Sequence, residues 1–221
     1  MAKQNNEKKE VKSYKNAGII AAVVIVIAAL GALAMGAIKS NNVAPVTEAI
    51  EEVSENAANG ANLRIAVIRM DAIQTDAKVL QDLKKQKESF ENKLREELTR
   101  DQEKLEKEKA EIEKSQDVLS REALQRRVVD YQNKVAKLQR DLTERAQSVE
   151  MAYQKALNEI QTKHLDPIIE GIIDKKQLSL VIDGRMARTG ANVENLDITN
   201  DVVKALDKKV SKIKMTTPQG F

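Results

Sequence analysis

SREALQRRVVDYQNKVAKLQRDLTERAQSVEMAYQKA, residues 120–156, is the stretch whose reading decides the fold. Val128, Val135, Leu142, Val149 and Ala156 recur every seventh residue, and Leu124, Tyr131, Leu138 and Ala152 fill the complementary positions. An apolar repeat of this period marks a helix that packs along a second helix. Arg145 alone interrupts the second series. Upstream, Leu98, Leu105, Ile112 and Leu119 carry a matching but thinner series, because Asp101, Glu108 and Ser115 occupy its alternate positions. From Ala61 to Asp166 there is neither glycine nor proline, a distance over which ordinary loops would need both. The region therefore reads as a helical hairpin. Its reversal falls near Ser115 to Ser120 (SQDVLS), where Ser120 caps the second helix and Glu122 lies in its first turn. Each arm is roughly 65 Å long at 1.5 Å per residue.

Outward from the hairpin lie two short strands. Arg64 to Met70 (RIAVIRM) is β-branched and apolar, as is Leu178 to Asp183 (LSLVID). Asp71, with Gln74 three residues later, has capping-box spacing, so the first arm is expected to start near Ala72. His164-Leu165-Asp166-Pro167 marks a joint at which Asp166 caps, Pro167 takes the first helical position and a helix covers about Ile168 to Lys176. Asp183-Gly184 signals a tight turn, with Met186 to Thr189 as a third, edge strand. Thr199 is the expected N-cap of a last helix that presents Val202, Val203, Leu206, Val210 and Ile213 on one face.

The N-terminal end has a different character. Ala17 to Ile38 is 22 residues without a charge, long enough as a helix for a hydrocarbon core of about 30 Å. It exceeds a signal-peptide core of about 7–15 residues and is read as an uncleaved transmembrane signal anchor. The alternative is cleavage after Ala32-Leu33-Ala34, which would free the chain on the far side of the membrane. Lys3, Lys8, Lys9, Lys12 and Lys15 keep the N-terminus in the cytoplasm in either case. The expected organisation is a cytoplasmic basic tail (1–16), an anchor (17–38), a linker (39–62), a folded domain (63–213) and a frayed tail (214–221). Within the domain, a body (63–71 and 165–213) carries the hairpin (72–164). The fold class is α+β and mostly helical: two or three short strands per subunit, a long antiparallel coiled-coil hairpin and a preceding transmembrane helix.

Composition excludes several chemistries. There is no cysteine, one histidine and only five aromatic residues in 221, so thiolate catalysis, cysteine-ligated metals and multi-histidine sites are ruled out. Residues 1–38 hold five lysines and two glutamates, and the remaining residues 32 basic and 32 acidic side chains. The net +3 thus belongs to the tail, and no basic face suggests nucleic acid. His164 beside Asp166, and Asp183 at a strand end, are read as a surface residue and a turn residue. The acidic runs at 101–113 are interleaved with lysines and read as a salt-bridged helix surface.

The order of these parts resembles the Skp/OmpH family of periplasmic chaperones. The resemblance covers about Leu63 to Val210. It rests on IAVIRMDAI, the LDPIIEGIIDKKQLSLVIDGRMA segment and NLDITNDVVKAL, with a charged hairpin between the first two. It implies a homotrimer whose β-body gathers strands from three subunits, and arms that hold unfolded outer-membrane proteins without ATP. No catalytic residue, cofactor or metal comes with it, so the chain is read as a non-enzyme. Ile65, Val67, Leu180 and Ile182 become the expected oligomer interface. Leu98, Leu105, Ile112, Val135 and Leu142 are the candidate client-contacting arm residues. The sequence departs from the family in its retained anchor and in its neutral arms, with 17 basic and 17 acidic residues from Gln81 to Glu150. The competing account is a membrane-anchored coiled-coil tether of the cell envelope with no client.

Overall fold

The computed structural model describes residues 48, 49, 51, 63–184 and 196–221. The anchor segment 17–38, the expected edge strand Met186–Thr189 and almost all of the linker lie outside these residues. Within the linker, Glu48, Ala49 and Glu51 are helical. Among the described residues no helix is long and apolar enough to cross a membrane. The elements are β1 (Ile65–Ile68), α1 (Met70–Asp76), α2 (Lys78–Lys114), α3 (Arg121–Ile160), a π-helical turn (Gln161–Leu165), α4 (Asp166–Lys176), β2 (Leu180–Asp183) and α5 (Thr199–Lys209). The described residues fall into two units. One comprises 48, 49, 51, 63–88, 152–184 and 196–217, and the other 89–151 and 218–221.

In the first unit β1 and β2 pair in parallel, with Ile65 beside Leu180, Ala66 beside Val181, Val67 beside Ile182 and Ile68 beside Asp183. The other edge of β1 is also occupied: Val67 N donates to Leu196 O at 2.8 Å, and Ile198 N donates to Val67 O at 2.9 Å. β1 is therefore the middle of a three-track arrangement, flanked by β2 and by residues 196–198. Successive residues of a strand face opposite sides, and Ala66 and Ile68 point into the core. That core is completed by Ile73, Val79, Leu83, Ile160, Leu165, Ile168, Ile198, Val202 and Leu206.

Several helix ends differ from the expectation, and at one of them a tertiary partner replaces a local cap. The first arm is not one helix. It breaks at Ala77, whose backbone is extended. Alanine cannot cap, and the exposed amide of Lys78 instead donates to Asp207 Oδ1 of α5 at 2.8 Å. Asp71 does not cap either: α1 starts at Met70, and no side chain caps it at Arg69. Thr199 is the first helical residue of α5 rather than its cap. Asp197 Oδ1 accepts from the Thr199 amide at 2.9 Å, and the Thr199 hydroxyl, fully buried, accepts from the Arg69 amide at 2.9 Å.

The joint at 164–167 is not a break. Pro167 lies in the first turn of α4, where its ring and missing N–H disturb the turn before it. The chain accommodates this by widening to a π-turn over Gln161–Leu165 while remaining helical. Asp166 accepts from Gln161 Nε2 at 2.6 Å rather than capping. α4 ends at Gln177 in the left-handed region (φ 51°), with the Leu178 amide returning to Ile173 O and the Gln177 amide to Asp174 O.

In the second unit the arms run antiparallel. Glu97 pairs with Arg145, Glu108 with Lys134, and Ser115 faces Arg127. All three pairs are centred on residue 121, so the register does not slip over this length. Leu94, Leu98 and Ile112 of α2 and Leu142 and Val149 of α3 are buried. The weak seam position Glu108 is satisfied across the hairpin by Lys134 at 2.7 Å. The reversal falls at residues 115–120, as the sequence predicts, and Ser120 Oγ accepts from the Ala123 amide at 3.2 Å.

The tail 214–221 is not frayed. Met215 is buried, and its amide donates to Gln86 Oε1 at 2.8 Å while Gln86 Nε2 donates to Ile213 O at 2.8 Å. In the second unit Phe221 packs edge-on against Phe90. The frayed expectation rested on polarity and end position, neither of which registers a buried methionine or an aromatic pair.

Candidate functional site

The open face of the sheet is the first candidate surface. In a parallel pair, residues side by side in register point to the same face, and here the outward face carries Ile65, Leu180, Val67 and Ile182. Ile65 remains 36% exposed and Ile182 39%, while Val67 and Leu180 are half-buried. The structure therefore brings together on one face the four residues expected at an oligomer interface. Leu196, on the other edge of β1, is 43% exposed. Gly184 closes the sheet end: its amide donates to Ile68 O at 2.7 Å, and a Cβ there would meet Val67 Cγ1 at 2.6 Å.

The arm residues expected to touch clients are placed differently. Leu98, Ile112 and Leu142 are buried, and Leu105 and Val135 are half-buried. A heptad position faces the neighbouring helix, so the three buried side chains pack between the arms, while Leu105 and Val135 keep part of their surface open. The apolar side chains the second unit does present are Val118 at the reversal (83% exposed), Val128, Val129 and Met151. Val118, Val129 and Met151 lie off the seven-residue series, whereas Val128 belongs to it and is still 36% exposed.

The electrostatics are those of a structural surface. The Arg145 hydrogen bond holds the Glu97 carboxyl below the usual carboxylate range. Burial pushes Asp197 up, but hydrogen bonds from Thr199 and the charge of Arg69 outweigh it and lower the net value. His164 is half-buried, with Nδ1 lacking a hydrogen-bond partner. Among the described residues no three His, Cys, Asp or Glu side chains cluster as a metal ion would require.

A further cluster escaped the sequence reading. Arg145, the interruption in the heptad series, stands against Glu97 on one side and the Phe221 ring on the other, its guanidinium carbon 4.5 Å from the ring centroid. Phe90 completes the group at 5.0 Å between centroids and 77° between planes. The one signal of it in the sequence is Arg145 itself, a charge where the repeat calls for an apolar residue.

The geometry has counterparts. A family model described as Outer membrane protein (OmpH-like) matches residues 64–206. The fold is similar to the crystal structure of a candidate outer membrane chaperone (OmpH-like) from Caulobacter crescentus CB15. That comparison has a TM-score of 0.65 and 20% sequence identity, over 72% of this chain and 92% of the other. No curated protein matches the chain.

Proposed function

The chain belongs to the Skp/OmpH family of OmpH-like outer membrane proteins, and we propose that it is an ATP-independent holdase for unfolded outer-membrane proteins. In this reading it works as a homotrimer whose arms enclose the client. The carrying observation is the uncovered sheet face. Two short strands are marginal by themselves, and the apolar side chains of Ile65, Val67, Leu180 and Ile182 stand partly exposed on them. Three copies joined through this face would bury it. An unfolded barrel chain exposes strand edges and alternating apolar residues that would otherwise aggregate. Many weak contacts with arms can retain it and still release it. We place the folded domain in the periplasm, held to the inner membrane through residues 17–38.

The test is the mass of the full chain held in lipid nanodiscs, free of detergent, by light scattering, with and without a urea-denatured barrel protein diluted into it and with empty nanodiscs as the control. A trimer that keeps the barrel protein soluble at fixed stoichiometry supports the proposal. So does loss of both properties in Val67→Asp. A monomer or dimer that leaves the client to precipitate would overturn it in favour of the tether.

A further inference from the structure

We propose that Phe90, Arg145 and Ser148 form a binding site for a glycine–aromatic pair on an extended stretch of unfolded polypeptide, and that the chain's own Gln219-Gly220-Phe221 is its resident, displaceable occupant. This rests on the holdase reading for its biological partner, though not for its geometry.

The occupant shows what the site accepts. The Phe221 ring lies between the edge-on Phe90 ring and the Arg145 guanidinium, an apolar wall and a cation placed over the same aromatic. Two positions back, Ser148 Oγ donates to Gln219 O at a long 3.4 Å. Gly220 lies between them with φ 87°, and a Cβ there would stand 2.9 Å from Arg145 Cγ. The site therefore selects a ring, a preceding glycine and a backbone carbonyl. Apart from the glycine, these are features that differing sequences share.

The site has a support of its own, and the occupant fits it incompletely. Glu97 pairs with Arg145 across the arms, a contact in which Phe221 takes no part. Arg145 Nε is buried and has no hydrogen-bond partner. A buried donor without an acceptor is costly, so a segment that brings a carbonyl to Nε improves on the resident one. The resident segment also lies beyond residues 64–206, the span that matches the family model. The site gives a reason for Arg145 to interrupt an apolar seam. It also gives one for two of the five aromatic residues of the chain to meet at one point. Barrel proteins carry girdles of aromatic residues on their strands, so their unfolded chains present rings on extended backbone.

If the tail occupies the site, a client competes with it, and its apparent affinity falls by the fraction of sites left open. Edge-on and cation–π contacts of this size hold the tail closed by a factor of about 5 to 30. The experiment uses the full chain in detergent and a fluorescein-labelled ten-residue peptide of alternating Ser and Thr around a central Gly-Phe. A Gly-Ser peptide serves as control, and binding is read by anisotropy. Phe221→Ala removes the resident ring. Gly220→Ala expels the tail while leaving every aromatic in place, and far-UV circular dichroism reports helicity for both. Each variant is expected to bind the Gly-Phe peptide about 5- to 30-fold more tightly with no change for Gly-Ser, and adding Phe90→Ala to Phe221→Ala erases the gain. Unchanged affinity in both helical variants, or an equal gain for the two peptides, would overturn the proposal. Barrel-protein solubility with the wild-type chain is scored separately. Solubilisation without a peptide gain rejects this site and leaves the holdase standing, whereas a peptide gain without solubilisation keeps the site and rejects the holdase.

Discussion

Replacing Asp207 tests whether the first arm begins where it does because another helix caps it. Helix α2 is 37 residues long, and Ala77 before it offers no side-chain acceptor. Asp207 Oδ1 takes the Lys78 amide at 2.8 Å. The same carboxylate also stands 3.9 Å from Lys78 Nζ, but that lysine is 79% exposed, and exposed pairs contribute little. Loss of a cap costs about 1 kcal/mol, with a range of about 0.5–2. Loss of a negative charge beside a helix N-terminus adds about 0.3–1 kcal/mol. Asp207→Ala should therefore destabilise by about 1.5–2.5 kcal/mol. Asp207→Asn, which keeps an acceptor, should cost about 0.5 kcal/mol. Lys78→Ala should cost under about 0.3 kcal/mol. In urea, a slope of about 2 kcal/mol per molar turns the alanine effect into a midpoint about 1 M lower. Hydrogen exchange locates it: the Val79, Leu80 and Gln81 amides should lose about 10- to 70-fold protection in Asp207→Ala. Equal effects of alanine and asparagine, or a Lys78→Ala effect as large as Asp207→Ala, would refute the assignment of the cap.

Three further outcomes are expected. Gly184→Ala places a methyl 2.6 Å from Val67 Cγ1 and should destabilise by about 1–3 kcal/mol in urea unfolding; a neutral result would show that β2 yields freely at its end. Gln177→Gly removes a side chain from a left-handed position (φ 51°) and should stabilise by about 0.5–1 kcal/mol in the same assay. Glu97, whose folded pKa lies below its ordinary 4.5, stabilises the folded state fully above that value and loses this as pH falls through the folded pKa. Glu97→Gln should accordingly lie below wild type at pH 6, with the gap narrowing on acidification below 4.5; a gap independent of pH would contradict the ion pair.

What the sequence disclosed, and what it concealed, follows from the range of the interactions involved. The hairpin was legible because a seven-residue repeat and the absence of glycine and proline act along one helix, and Ser120 caps its own neighbour. The strands were legible from β-branched runs, and alternation placed Ile65, Val67, Leu180 and Ile182 on one face. The helix start after Ala77 was not legible, because its partner Asp207 is 129 residues away, and neither was the use of the Thr199 hydroxyl by the Arg69 amide, 130 residues away. Local capping rules assigned these ends to Asp71 and Thr199, which have the right chemistry for a cap but other surroundings. At Pro167 the rule located the disturbance correctly, although a wider turn absorbs it. Arm positions were read twice over, as seam and as client surface; Leu98, Ile112 and Leu142 are buried, in keeping with the first role.

The cross-arm register bears on how the chain assembles in time. Arg64 and Ser179 hydrogen-bond across a separation of 115 residues. Closing a flexible loop of that length costs about 4 kcal/mol by the logarithmic law, before any contact offsets it. With the pairs Glu97–Arg145, Glu108–Lys134 and Ser115–Arg127 all centred on residue 121, zipping from the reversal consists of short closures, each adding one turn to a helix pair already formed. When the zip is complete, the two ends of that loop have been carried toward one another at little remaining entropic cost. Nucleation is thus expected at the reversal, with the sheet forming last. During synthesis β1 would emerge well before β2 followed. The uncovered strand edge would then wait on synthesis rather than on diffusion. A one-residue deletion in a single arm would leave the finished sheet chemically intact and slow its formation, a defect visible in refolding rates before it is visible in stability.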